Sequence, residues 1–182
     1  MTRPWSWSWN SRKRESHAMQ NFGQLLQRLA DAGLDFVIVG GYAAVAHGSS
    51  LVTRDLDICA VLTPDNVEKL RQTLAAWHPK HRLTPQRLSF LDHPGTGQPV
   101  QNLYLQTDIG VIDILSSILG VGDLARLKSQ ADELQVGGRT YRVISLEDLI
   151  QAKEALGRET DLLAAKELRA IAAKRRQPPP VH

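Results

Sequence analysis

A single cysteine, Cys59, is all that the 182 residues contain. An intramolecular disulfide is therefore excluded, and a cysteine-based zinc site would lack ligands; a reducing cytoplasm is the expected setting. Long apolar runs are missing as well. The longest nearly apolar stretch, Phe36 to Ala46, falls well short of the roughly 18 residues a membrane-spanning helix needs. The N-terminus lacks the apolar segment of a secretory signal, so no membrane partner is expected.

The chain also has little charge of one sign. The formal net charge of +3 comes from 22 Lys+Arg against 19 Asp+Glu. Residues 1–18 carry Arg3, Arg12, Lys13 and Arg14 against Glu15, a net +3. Setting that leader and the Lys174-Arg175-Arg176 cluster aside leaves residues 19–173 with 15 basic and 18 acidic side chains, a net −3. The basicity belongs to the two ends, and a basic nucleic-acid-binding face on the body is not implied.

The length suits one globular domain with a sizeable core. Residues 1–18, with three of the four tryptophans in a Trp-Ser run, have no apolar period and are expected to be a disordered extension. Leu25, Leu26, Leu29 and Ala30 recur at helical spacing until Gly33. Phe36-Val37-Ile38-Val39 reads as a strand buried on both faces, and Gly40-Gly41 breaks it before an Ala-rich helix over 42–47. A second strand is expected from Asp55 to Leu62, and a helix capped by Thr63-Pro64 with Val67, Leu70 and Leu74 inward.

Residues 78–99 read as mostly loop around one short candidate strand, Arg87 to Leu91. Strands follow near 101–106 and 111–115, and Gly137-Gly138 signals a hairpin. Ser145-Leu146-Glu147-Asp148 starts a helical C-terminal region. The order predicts a mixed α/β domain: a disordered stretch over 1–18, a core over 19–144, C-terminal helices over 145–173 packed on it, and a disordered tail over 174–182.

Asp55-Leu56-Asp57 carries the chemistry. On a strand, i and i+2 share a face, so both carboxylates project together while Leu56 and Ile58 face the core. At 4 Å and an effective dielectric near 20, two such charges repel by about 4 kcal/mol. A divalent cation would compensate, since Mg²⁺ takes oxygen ligands and commonly uses carboxylates with substrate phosphates; a solvated acidic face on an edge strand is the alternative. Asp113 stands in the apolar run Val111-Ile112-Asp113-Ile114-Leu115, where an unpaired charge is costly to bury. It either joins the pair from a neighbouring strand, stands at a strand end, or sits in a salt bridge. Upstream, Gly40-Gly41 between strand and helix is either a simple turn or one that offers backbone N–H groups to a phosphate.

With these residues in view, the chain resembles the nucleotidyltransferase superfold of the DNA polymerase β type, and within it small bacterial AbiEii toxin-like proteins. The resemblance rests on Val39-Gly40-Gly41-Tyr42-Ala43-Ala44, His47-Gly48-Ser49, Thr53-Arg54-Asp55-Leu56-Asp57-Ile58-Cys59, Gly110 to Leu115, and Ser145 to Ile150 running into Lys153, Gly157, Arg158 and Asp161. It implies a mixed central sheet flanked by helices. It also implies transfer of a nucleotidyl group from an NTP to a hydroxyl of tRNA, protein or a small molecule, with a possible antitoxin protein as partner. Asp55 and Asp57 would hold two Mg²⁺ ions, and Asp113 would share one and help activate the acceptor. Gly40, Gly41, Lys153, Arg158 and Asp161 would serve the nucleotide.

Many relatives carry Ser where this chain has Gly41, and Arg where it has Leu51. From the residues themselves, Lys153 either snorkels to water or reaches toward phosphate, and it shares a face with Asp161 if the helix continues through Gly157. Arg158 is a phosphate contact or a surface ion-pair partner. Cys59, on the carboxylate face, should keep its thiol protonated. The alternative function is a catalytically weak relative that binds a nucleotide or a protein partner.

Overall fold

The computed structural model describes residues 21–176. The expected N-terminal extension and residues 177–182 of the expected tail lie outside those residues. Helix α1 covers 21–31 and buries Phe22, Leu25, Leu26 and Leu29 completely. Gly33, at φ +68°, turns the chain into β1, Phe36–Val39, whose four residues are all buried. Then come α2 (Gly40–Ala46), β2 (Asp55–Ala60) and α3 (Pro64–Leu74), with Thr63 Oγ1 accepting from the Asn66 N–H at 3.2 Å as the N-cap.

The chain continues as β3 (Lys80–His81), β4 (Asn102–Thr107), β5 (Gly110–Leu115), a small β6–β7 pair (Ser117–Ile118 and Gly122–Asp123) and α4 (Leu124–Gln130). The hairpin β8 (Asp132–Val136) and β9 (Arg139–Val143) turns on Gly137 and Gly138, both at positive φ. Helices α5 (Leu146–Leu156) and α6 (Glu159–Arg176) complete it. Among the described residues no helix is long and apolar enough to cross a membrane.

Seven strands form one mixed sheet in the order β3-β4-β5-β2-β1-β9-β8. β2 is its central strand, antiparallel to β1 and parallel to β5. Leu56, Ile58, Ile112 and Ile114 have no exposed surface, so the apolar residues of the two middle strands anchor the core.

Three expectations are corrected. The short strand of the 78–99 region is Lys80–His81, not 87–91. Arg87 takes φ +46°, outside the extended region, and the Phe90 carbonyl accepts from Arg71 Nε at 3.0 Å, leaving only a lone bridge between Ser89 and Lys80. The helix after Ser145 does not continue through Gly157, which ends it in a left-handed cap at φ +67°. Helix α6 runs past the expected boundary at 173 to Arg176. Arg175 donates to the carbonyl of His47 at 3.0 Å, which fastens that last turn to the body.

Candidate active site

The central position of β2 removes the edge-strand alternative for Asp55 and Asp57. Parallel pairing sets Asp57 beside Asp113 and Asp55 beside Val111. Antiparallel pairing on the far side of β5 sets Tyr104 beside Asp113. One row thus crosses the sheet: Tyr104 on β4, Asp113 on β5, Asp57 on β2. Residues opposite one another share a face, so the two carboxylates are brought together as the strand pattern implied.

The glycine turn makes room for them. Val39 pairs with Asp57, and Gly40 follows at φ +65°, where a Cβ would lie 2.1 Å from Asp57 Oδ2. Only glycine satisfies both the left-handed backbone and that close approach. The Gly41 N–H donates to Asp57 Oδ2 over 3.4 Å. A Cβ on Gly41 would lie 2.6 Å from Thr53 Oγ1, so the serine of many relatives does not fit this turn unless Thr53 shifts. Thr53 Oγ1 in turn donates to the Asp55 carbonyl at 3.0 Å.

Asp57 and Asp113 are both raised, but their surroundings differ. Burial, then Asp113 and Asp55, push Asp57 up to about 6, against the lowering pull of the Gly41 N–H and Lys153. Asp113 is buried and also raised, burial again leading, although Arg82 pulls the other way. Arg82 holds both oxygens of Asp113: Nε donates to Oδ1 at 3.0 Å and Nη2 donates to Oδ2. The salt bridge considered for Asp113 is therefore present. Cys59 is buried and its thiol is pushed up to about 11 by burial and then Asp123, rather than by the carboxylates two residues before it.

The cluster on the C-terminal helices comes from a turn, not from one helix face. Lys153 Nζ donates to Asp161 Oδ1 at 2.8 Å, and Arg158 Nε reaches 2.5 Å from Asp161 Oδ2. Burial would raise Asp161, but Arg158 and Lys153 outweigh it and hold the carboxyl below its ordinary value. Lys153 thus makes its bond to Asp161 while its field reaches Asp57. The loop between α2 and β2, with Leu51 half-exposed on it, is tied down by Glu167 of α6. That carboxylate accepts from Ser49 Oγ at 2.7 Å and from the Ser50 N–H and Oγ at 2.8 Å each.

His47 is buried, with Nε2 2.7 Å from the Ile144 carbonyl oxygen. His78 Nδ1 bonds Asp108, and His81 Nε2 lies 2.8 Å from the His93 carbonyl. Arg82 and Glu167 were not singled out by sequence reasoning. Neither stands in a spacing pattern, and their partners lie 31 and 117–118 residues away.

The three β-strand aspartates offer only carboxylate oxygens, a donor set of the kind a hard cation such as Mg²⁺ takes. Among the described residues no group of three or more acidic, His or Cys side chains is arranged to hold a metal ion, and Asp113 has Arg82 as its partner.

No protein-family model and no curated protein matches the chain. Solved structures do. The lincosamide antibiotic adenylyltransferase LnuA, bound to lincomycin, is 17% identical, covers 84% of this chain and 96% of its own, and superposes with a TM-score of 0.57. The solution structure of the antibiotic-resistance factor ANT(2'')-Ia is 14% identical over 89% and 92%, at 0.56. A nucleotidyltransferase-like antigenic protein from Paracoccidioides brasiliensis is 14% identical over 87% and 77%, also at 0.56. With its mixed central sheet, flanking helices and helical C-terminal region, the chain has the nucleotidyltransferase fold.

Proposed function

We propose that the chain transfers a nucleotidyl group from an NTP to a hydroxyl acceptor. The observation that carries this reading is the register of Asp57 against Asp113 across β2 and β5, with Asp55 two residues before Asp57 on the same face. In the reaction the acceptor oxygen bonds to the α-phosphorus, the bond to the pyrophosphate oxygen breaks, and the hydroxyl proton leaves to a carboxylate or water.

Asp55, Asp57 and Asp113 would hold Mg²⁺, two ions in the full site. Bound there, the metal supplies charge neutralisation for the attacking and leaving oxygens. The protein's own part is to hold the carboxylates. Gly40 lets Asp57 approach the turn, and Thr53 braces the backbone at Asp55. Gly40 and Gly41 would face the donor phosphates, with Lys153, whose charge is felt at Asp57, as a cation for them and Asp161 fixing its ammonium group. Arg158 would add charge at the rim, since its side chain is mostly exposed.

LnuA and ANT(2'')-Ia, an adenylyltransferase for an antibiotic and an antibiotic-resistance factor, support a small hydroxyl-bearing molecule as acceptor. A tRNA or protein acceptor would instead make the chain the toxin half of a pair held in check by an antitoxin protein. The second reading, a weak relative that only binds nucleotide or a partner, is favoured by one observation: Asp113 is already neutralised by Arg82.

The test is incubation of the full chain with each α-labelled NTP, Mg²⁺ and cell extract, followed by separation of RNA, protein and small molecules. Label should move to one fraction with wild type and not with Asp55→Ala/Asp57→Ala. Nucleotide binding without transfer would favour the binding module, and neither binding nor transfer would overturn nucleotidyl transfer.

A further inference from the structure

Arg82 lies one residue past β3, and its N–H donates to the Tyr104 carbonyl at 2.9 Å. That bond continues the β3–β4 ladder and adds Arg82 to the row formed by Tyr104, Asp113 and Asp57. Its guanidinium passes over the Tyr104 ring, 5.6 Å from the centroid, and forks onto both oxygens of Asp113. Aromatic support and a two-point carboxylate contact are the geometry for which arginine is suited and lysine is not. The pair is asymmetric. The Asp113 side chain is 9% exposed and sits on a central strand, whereas that of Arg82 is 28% exposed at the sheet's edge. If the pair opens, the arginine is the member that can leave, because its charge moves toward water instead of staying stranded in the sheet.

We infer that Arg82 is a positioning residue that occupies Asp113 until a divalent cation takes its place. Paired in this way, the guanidinium neutralises the third carboxylate and occupies both of its oxygens. When the cation binds, the guanidinium withdraws along the Tyr104 face and is available to the anionic phosphates of the donor. Arg82 thus competes with the first metal for Asp113. The inference rests on the cation-holding role proposed for Asp55, Asp57 and Asp113.

The experiment is Mn²⁺ binding to the full chain without nucleotide, read from the free-ion electron paramagnetic resonance signal. The panel is wild type, Arg82→Gln, Arg82→Lys, Asp57→Asn, Asp113→Asn and Arg82→Gln/Asp113→Asn. Arg82→Gln should bind Mn²⁺ about tenfold more tightly than wild type, the size expected on removing a charge-assisted competitor. Arg82→Lys should fall between them, and Arg82→Gln should change nothing once Asp113 is Asn. A merely structural arginine would lower affinity when removed. Unchanged or weaker binding by Arg82→Gln, with wild type binding and Asp57→Asn not binding, overturns the inference alone. Equal binding by wild type and Asp57→Asn overturns the cation site and the inference with it.

A second measurement needs only folded wild type: the Arg82 Nε–H signal of arginine-labelled protein, identified by its absence in Arg82→Lys. It should shift and exchange faster with solvent as Mg²⁺ is added. A signal that stays in place at saturating Mg²⁺ overturns the inference.

Discussion

Asp161 is buried and Asp57 half-buried, and both feel Lys153, yet their charges are handled in opposite ways. Asp161 has two cations on its two oxygens and is held below its ordinary value despite its burial. Asp57 has one long backbone contact and two neighbouring aspartates, and it rises to about 6. A fold that needed both only for stability would have compensated both. The completed cluster on α5 and α6 reads as a brace that joins two helices and aims Lys153. The uncompensated charge on β2 reads as a place kept for a cation.

The largest expected effect comes from breaking the brace. Asp161→Ala leaves Lys153 partly buried without its partner and should cost about 2–4 kcal/mol of unfolding free energy in urea melts. A cost within error of zero would show that the cluster is not structural. Next is the glycine that lets Asp57 sit where it does. Gly40→Ala meets both the φ of +65° and the Asp57 carboxylate, and it should destabilise by roughly 2 kcal/mol or more. The same melts check this, and a gain in stability would mean that Asp57 is not held close to the turn.

The third change should have the opposite sign. Between about 4 and 6 the folded chain retains a proton on Asp57 that the unfolded chain, near 3.8, has released. Stability from this residue therefore falls as pH rises through that window, and the full penalty stands above 6. In EDTA, Asp57→Asn should stabilise the protein at pH 8, on the order of 1–2 kcal/mol after solvent screening. Near pH 3 it should do almost nothing, and an equal gain at both pH values would remove the charge from the explanation. The smallest effect is expected at the Glu167 latch. Glu167→Gln should leave the melting temperature nearly unchanged while amide exchange at Ser50 and its loop neighbours speeds up, which hydrogen-exchange mass spectrometry would detect.

The half of this comparison on β2 was legible in the sequence, because aspartates in otherwise apolar strands conflict with burial and so advertise themselves. Asp55, Asp57 and Asp113 stood out for that reason; a strand beside β2 and a salt bridge were alternatives for Asp113, and the structure has both. Local chemistry also announced the Thr63 cap, the Gly137-Gly138 hairpin and the Ser145 start of α5. Arg82 was not legible. An arginine in a stretch crowded with proline, glycine and histidine carries no periodic signal, and its meeting with Asp113 depends on β3 returning beside β4. Lys153 and Asp161 were paired by a continuous helix that does not exist. They meet because Gly157 reverses the chain, so eight residues of separation gave the right neighbours through a different geometry.

Nucleotidyl transfer as proposed requires, before anything else, that Asp57 be the seat of a cation. Thermal melts of wild type and Asp57→Asn at pH 8, with Mg²⁺ titrated into EDTA-treated protein, read this out through mass action. The wild-type midpoint should climb with Mg²⁺ while Asp57→Asn, starting higher, stays flat, so that the two curves converge. Parallel curves, with both proteins gaining equally from Mg²⁺, would contradict the account.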